Sequence, residues 1–96
     1  MPAYLIVDTL IENADEYEKY KALAKPIAEQ YGGVYRVRGG SMDIVETDLW
    51  SPTRMVIIEF PHMQAARAFV DSEEYAPVKP IRRDNARCTL TILDGV

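Results

Sequence analysis

Cysteine is almost absent from this chain. Cys88 stands alone, which excludes an intrachain disulfide framework and points to a reducing compartment. Histidine is as scarce: His62 has no second histidine to share a metal with, and one thiol among scattered acids makes no ligand set. Neither a metal nor another cofactor is therefore expected. Basic charge is also short. The 11 Lys and Arg stand against 15 Asp and Glu, a net charge of -4, with no basic stripe to neutralise phosphates. Nucleic acid is accordingly not an expected partner. No apolar run approaches the roughly 20 residues of a membrane span, which removes the membrane as well. The start, Met1-Pro2-Ala3-Tyr4, enters a strand pattern at once. It lacks the basic region and apolar stretch of a secretory signal, so the cytoplasm is the expected location.

What the 96 residues do hold is enough for one domain and one core, over residues 1–96. Tyr4-Leu5-Ile6-Val7 and Met55-Val56-Ile57-Ile58 are apolar at consecutive positions. A strand with one wet face alternates, so these read as strands covered on both faces. Helices of this short chain can supply one cover. The other must come from a second copy, which makes a homodimer the expected assembly.

The first strand is expected over about Ala3 to Leu10. Asn13 with Glu16 three residues on forms a capping box, and Asp15 suits the positive end of a helix. Tyr17, Tyr20, Leu23, Ala24, Ile27, Ala28 and Tyr31 then recur at helical spacing as a core stripe. Pro26 predicts a kink or break near Ala22 to Lys25, and Gly32-Gly33 the stop. Val34 to Arg38 followed by Met42 to Glu46 reads as one long strand bent at Gly39-Gly40. Asp48 to Pro52 is a turn, and Thr53 to Phe60 the third strand. Met63 to about Asp71 forms a second helix. Ser72 caps a further short helical piece that Pro77 and Pro80 distort. Arg87 to Leu93 alternates as the last strand. The order βαββαβ folds as a ferredoxin-like α+β sandwich, a four-stranded antiparallel sheet with its helices on one face.

Tyr31-Gly32-Gly33, Arg38-Gly39-Gly40, Trp50-Ser51-Pro52-Thr53-Arg54, Glu59-Phe60-Pro61 and Ser72-Glu73-Glu74-Tyr75 are the motifs that decide the family. In their order and spacing the chain resembles the family known as domain of unknown function 1330, within the dimeric α/β-barrel superfamily. The resemblance spans essentially the whole chain. It implies a ferredoxin-like subunit whose sheet packs on a partner's sheet. It also places the chain near cofactor-free monooxygenases, lactone isomerases and haem enzymes. Two departures stand out. His62 occupies a position where relatives carry Ser or Asp, and Pro77 and Pro80 interrupt the last helical stretch.

Face parity then nominates residues. Val56, Ile58 and Phe60 suit the helix side. Met55, Ile57 and Glu59, with Tyr4, Ile6 and Asp8, Arg36 and Arg38, and Arg87, Thr89 and Thr91, fall on the other face. Tyr, Glu, Arg and Thr on an apolar floor are the usual lining of a small-molecule pocket. Glu59 ends an apolar run, where a desolvated carboxylate can act as a general base. The competing reading pairs it with Arg38 or Arg87 to pin the dimer register. Arg38 lies beside the glycine bend, and its planar fork suits a carboxylate or enolate. His62 at a helix start, where the dipole disfavours imidazolium, can accept a proton or merely cap the helix. Tyr4 and Tyr75 can present hydroxyls at the pocket mouth. Trp50 is expected to cover a barrel end or the partner, and Cys88 to be an inert buried thiol. The Tyr17, Tyr20 and Tyr31 stripe is assigned no chemistry.

The reading is thus a cytosolic homodimer with a small-molecule pocket in each subunit. It would be a cofactor-free enzyme of proton-transfer or monooxygenase type, with Glu59 and His62 as catalytic groups. Tyr4, Arg38, Tyr75 and Arg87 would be the ligand contacts. The alternative is a non-catalytic dimer whose buried charges serve assembly.

Overall fold

The structure is a computed structural model that describes residues 1–96. Four strands, β1 (Ala3–Ile11), β2 (Val34–Arg38), β3 (Met55–Phe60) and β4 (Ala86–Asp94), form one antiparallel sheet in the order β2-β3-β1-β4. Helices α1 (Ala14–Gln30), α2 (Met63–Val70) and α3 (Lys79–Asn85) cover one side of it. The molecule is 19 Å thick. That is one helix layer on one sheet, so the second sheet face is uncovered within the chain. No helix is long and apolar enough to cross a membrane.

The core forms where the strand and helix periods agree. Leu5 and Val7 of β1 and Val56, Ile58 and Phe60 of β3 alternate toward the helices. Ala24 and Ala28 let α1 approach closely, and Ala66, Phe69, Tyr75 and Val78 close the layer. Phe69 stands at the centre, with ring centroids 5.7 Å from Phe60 and 4.6 Å from Tyr75. Each such side chain contributes about 1.5–3 kcal/mol by leaving water. The other face of β1, β3 and β4 presents Ile6 opposite Ile57 and Thr91, Tyr4 opposite Glu59 and Leu93, and Asp8 opposite Met55 and Thr89.

The expected cap at Asn13 and stop at Gly32 are in place. The Glu16 amide donates to Asn13 Oδ1 at 3.2 Å, and Gly32, with φ +87°, ends α1. Gly33 is needed for contact rather than conformation. A Cβ there would lie 2.8 Å from the Ala28 carbonyl and 3.0 Å from Ile58 and Phe60. The Tyr75 amide donates to Ser72 Oγ at 3.1 Å, but this bond closes a turn; the short helix expected to start at Ser72 begins only at Lys79, after Val78.

Four further expectations are corrected. Helix α1 runs unbroken through Pro26, because Ala24 and Ala28 are anchored in the core on either side of the one backbone bond that proline forfeits. Leu23 lies off the buried stripe and is 48% exposed. Pro80 opens α3 instead of merely distorting a turn, because the first helical turn needs no proline N–H. Finally, Met42 to Glu46 is not a continuation of β2. The partner for such an extension would be Pro52 to Arg54. Pro52 has no N–H to give, and the amides of Thr53 and Arg54 donate to Asp8 instead.

A bulge lies between Tyr35 and Val37 of β2, ahead of the glycines. Gly39, at φ +71°, turns the chain out of the sheet while its amide donates to the Met55 carbonyl at 2.8 Å.

Candidate functional site

The bulge decides where the arginines go. Val34 aligns with Glu59 and Val37 with Ile57, so both valines share the open face. Arg36 takes the extra position and reaches Glu59, Nε to Oε1 3.3 Å. Arg38 aligns with Val56, and Val56 faces the helices. Arg38 therefore lies on the helix side, over the Tyr35 ring at 4.9 Å and with Nη2 3.4 Å from the Lys21 carbonyl. Its expected place on the open face is a correction, since one inserted residue inverts every side chain after it.

Beneath α1, between it and the sheet, lies a cleft of about 40 Å³. Leu5, Val7, Val56, Ile58 and Phe69 make its apolar floor. Tyr20 of α1 and Tyr75 of the Ser72 turn meet there, with hydroxyl oxygens 2.6 Å apart. Arg82 of α3, only 7% exposed, donates Nε to the Tyr75 hydroxyl at 3.3 Å. Arg38 and Arg54 stand at the rim, the latter over the Tyr17 ring at 5.7 Å. Gly39 makes room for it, since a Cβ there would lie 2.6 Å from Arg54 Nε.

The electrostatics are one-sided. The chain has five ion pairs, and none includes Arg38, Arg54 or Arg82. No carboxylate or histidine lines the cleft. Burial, reinforced by the neighbouring Tyr75, holds the Tyr20 hydroxyl far above the usual phenol range. Burial also pushes Tyr35 up to about 12, with Arg38 pulling the other way. Burial works against the Arg82 charge, and its contacts with Tyr75, Cys88 and Tyr20 outweigh that, so the guanidinium stays charged. Tyr20 and Tyr35 are therefore held protonated and Arg82 charged, so each has a hydrogen to donate.

The six nominated residues do not form one cluster. Tyr75 and Arg38 belong to the cleft. Tyr4 and Glu59 face each other across β1 and β3 on the open side, and Arg87 is exposed at the far end of that side opposite Leu10. His62 caps α2, its Nδ1 accepting from the Ala65 amide at 3.0 Å. That bond places the ring proton of a neutral imidazole on Nε2 and occupies its acceptor nitrogen. Trp50 lies on the open face, 56% exposed, with Nε1 donating to Asp8 Oδ2 at 2.7 Å. Cys88 is half-buried, within 3.5 Å of the Thr9 hydroxyl.

Three residues of the site escaped the sequence reading, Tyr20, Arg54 and Arg82. Tyr20 sits at core spacing, where a phenol and an apolar side chain look alike. Its signal was that three of the stripe's seven residues are tyrosines, more hydroxyls than packing needs. Arg82 carried no signal, because only the fold brings α3 over the Ser72 turn.

The sequence model described as "Domain of unknown function (DUF1330)" matches residues 2–96. No curated protein matches the chain in sequence. Among solved structures, it is similar to a protein of unknown function from Rhodopseudomonas palustris at 17% identity and TM-score 0.74, over 99% of this chain and 82% of that one. A dimeric ferredoxin-like protein of unknown function from Jannaschia sp. CCS1 is 15% identical at TM-score 0.74, over 99% of this chain and 100% of that one. SnoaB, a cofactor-independent oxygenase from Streptomyces nogalater, is 13% identical at TM-score 0.66, over 99% of this chain and 93% of that one. At these identities the likeness establishes the ferredoxin-like fold.

Proposed function

This chain belongs to the DUF1330 family, and from that premise we propose a cytoplasmic homodimer joined through the open sheet faces, with a cofactor-free site for a small organic molecule in the cleft of each subunit. The observation that carries the reading is the gathering of Arg38, Arg54 and buried Arg82 around two touching tyrosine hydroxyls, with no carboxylate to balance them. A cation out of water without a counterion is costly to keep for stability alone, and such clusters in clefts point to function. The chemistry proposed is proton transfer beside a carbonyl, or oxygen chemistry of the kind named for SnoaB, which shares the fold. Arg38 and Tyr75 would meet the ligand, as nominated, together with Tyr20 and Arg54.

On the open face, Glu59, Tyr4 and Arg87 would serve assembly. Glu59 is already paired with Arg36, and the similar Jannaschia protein is dimeric. A second reading, a dimer with no reaction, is favoured by the cleft's small size. About 40 Å³ admits a water or two, so a whole organic molecule would enter only if α1 and β2 parted.

Thermal-shift measurements with a panel of small organic acids and ketones separate the two. The proposal expects at least one compound to raise Tm in the native protein and the rise to fall at least tenfold in concentration response in Arg38→Ala. The dimer should stay intact, because Arg38 is off the joining face. A flat response across the panel, with dimers unaffected, supports the non-catalytic reading.

A further inference from the structure

We propose that the Tyr20 and Tyr75 hydroxyls, backed by Arg82, form an oxyanion site for the charged oxygen of an enolate or phenolate. This rests on the cleft being the ligand site and adds which atom of the ligand is held and in which charge state.

The two phenols own two hydroxyl hydrogens, and the 2.6 Å separation of their oxygens uses one of them. Arg82 Nε points at the Tyr75 oxygen, and a guanidinium can only donate. Neither hydroxyl has another hydrogen-bond partner in the structure. One phenolic hydrogen therefore has no acceptor among the protein's own groups, in a cleft whose floor is apolar. Donation from Arg82 polarises Tyr75 to donate in turn to Tyr20, because hydrogen bonds in a chain strengthen one another in the same sense. The unspent hydrogen is then that of Tyr20, the more open of the two. Every charged group lining the cleft is basic: Arg38, Arg54 and Lys21, of which only Lys21 has an acidic partner, Glu18 at 3.1 Å. Fixed donors in a dry site, aimed where negative charge develops, are the arrangement that stabilises an oxyanion. Burial keeps the Tyr20 phenol protonated, so while its oxygen accepts from Tyr75 its own hydrogen is free to be lent.

Size narrows the ligand class. A space of about 40 Å³ takes a carbonyl-sized head but no whole molecule. The body would lie along the rim, between Arg38 stacked on Tyr35 and Arg54 stacked on Tyr17. Compounds with an acidic hydrogen beside a carbonyl, or an acidic phenol, fit that description. The role of Arg82 is to position, since it acts through Tyr75.

The probe is 4-nitrophenol, whose anion is coloured, with 4-nitroanisole as the neutral analogue that cannot ionise. Native protein is expected to bind nitrophenolate at least tenfold more tightly than nitroanisole, and to lower the ionisation midpoint of bound nitrophenol by about one pH unit. Tyr20→Phe hands the free hydrogen to the deeper Tyr75 and should reduce that preference roughly tenfold. The double variant Tyr20→Phe/Tyr75→Phe should abolish the midpoint shift while binding nitroanisole as before. Equal binding of the two probes by native protein, or an unchanged midpoint shift in Tyr20→Phe, overturns the oxyanion site and leaves the cleft as an apolar pocket. Failure of native protein to bind either probe overturns the cleft reading itself. Should the double variant not fold, Tyr20→Phe alone decides.

Discussion

Asp8 ties the Trp50–Arg54 turn to the open sheet face with three bonds, accepting from Trp50 Nε1 at 2.7 Å and from the Thr53 and Arg54 amides at 2.9 and 3.1 Å. Desolvation is the largest single influence on this carboxyl and pushes it upward. The bonds from Trp50, Thr53, Arg54 and Thr9 together outweigh it and hold the group below its ordinary value. Folding thus favours the ionised form. The stability Asp8 contributes is complete above about 3.9, the unfolded carboxyl's value, and is lost as pH falls through its lower folded value. Trp50 is the only tryptophan. Its fluorescence is expected to show an acid step in that window that disappears in Asp8→Asn. Asp8→Ala should cost about 1 kcal/mol in urea unfolding at pH 7, near the lower bound because water reaches the carboxylate. At this scale, parity read Tyr4, Ile6, Asp8 and Glu59 correctly, since β1 and β3 pair without interruption. It failed for Arg38 because a bulge at Arg36 depends on pairing with another strand, and no residue there announces it.

Among the elements, α2 is short enough for its cap to matter. Its eight residues begin with the His62 Nδ1 bond to the Ala65 amide. His62→Ala is expected to lower stability by about 1 kcal/mol by urea titration, and His62→Asn to restore most of it, because an amide oxygen also accepts at that position. If the ring served as a proton acceptor, the Asn variant would recover stability but lose turnover, and the cap reading predicts that ligand response in the cleft is kept. The helix signals at Asn13 and Gly32 were legible because capping involves residues three or four apart. The end of β2 was not, because it depends on Asp8 drawing away the amides of a segment more than 40 residues distant.

For the molecule as a whole, the open face is the outstanding feature. Ile6 and Ile57 sit side by side at its centre, ringed by Tyr4, Met55, Thr91 and Leu93. If two copies join there, sedimentation at micromolar concentration should give twice the 10.9 kDa chain mass. Ile57→Asp would put an unpaired charge in the joined face and should weaken association by about a hundredfold or more. The fold should survive, since Ile57 points away from the helix-side core. A native monomer at that concentration would remove the dimer from the proposal and leave the cleft untouched.

Local patterns in the sequence determined the strands, the caps and which face of β1, β3 and β4 is greasy, because period and capping act over a few residues. They also carried enough family signature to place the chain in DUF1330. Only the tertiary structure decided that Arg38 lies on the helix side of the sheet and that Arg82 reaches a tyrosine of α1 through Tyr75. Those contacts join residues 7 and 55 positions apart. Hydroxyls 55 positions apart meet only after the sheet has seated α1 and the Ser72 turn side by side.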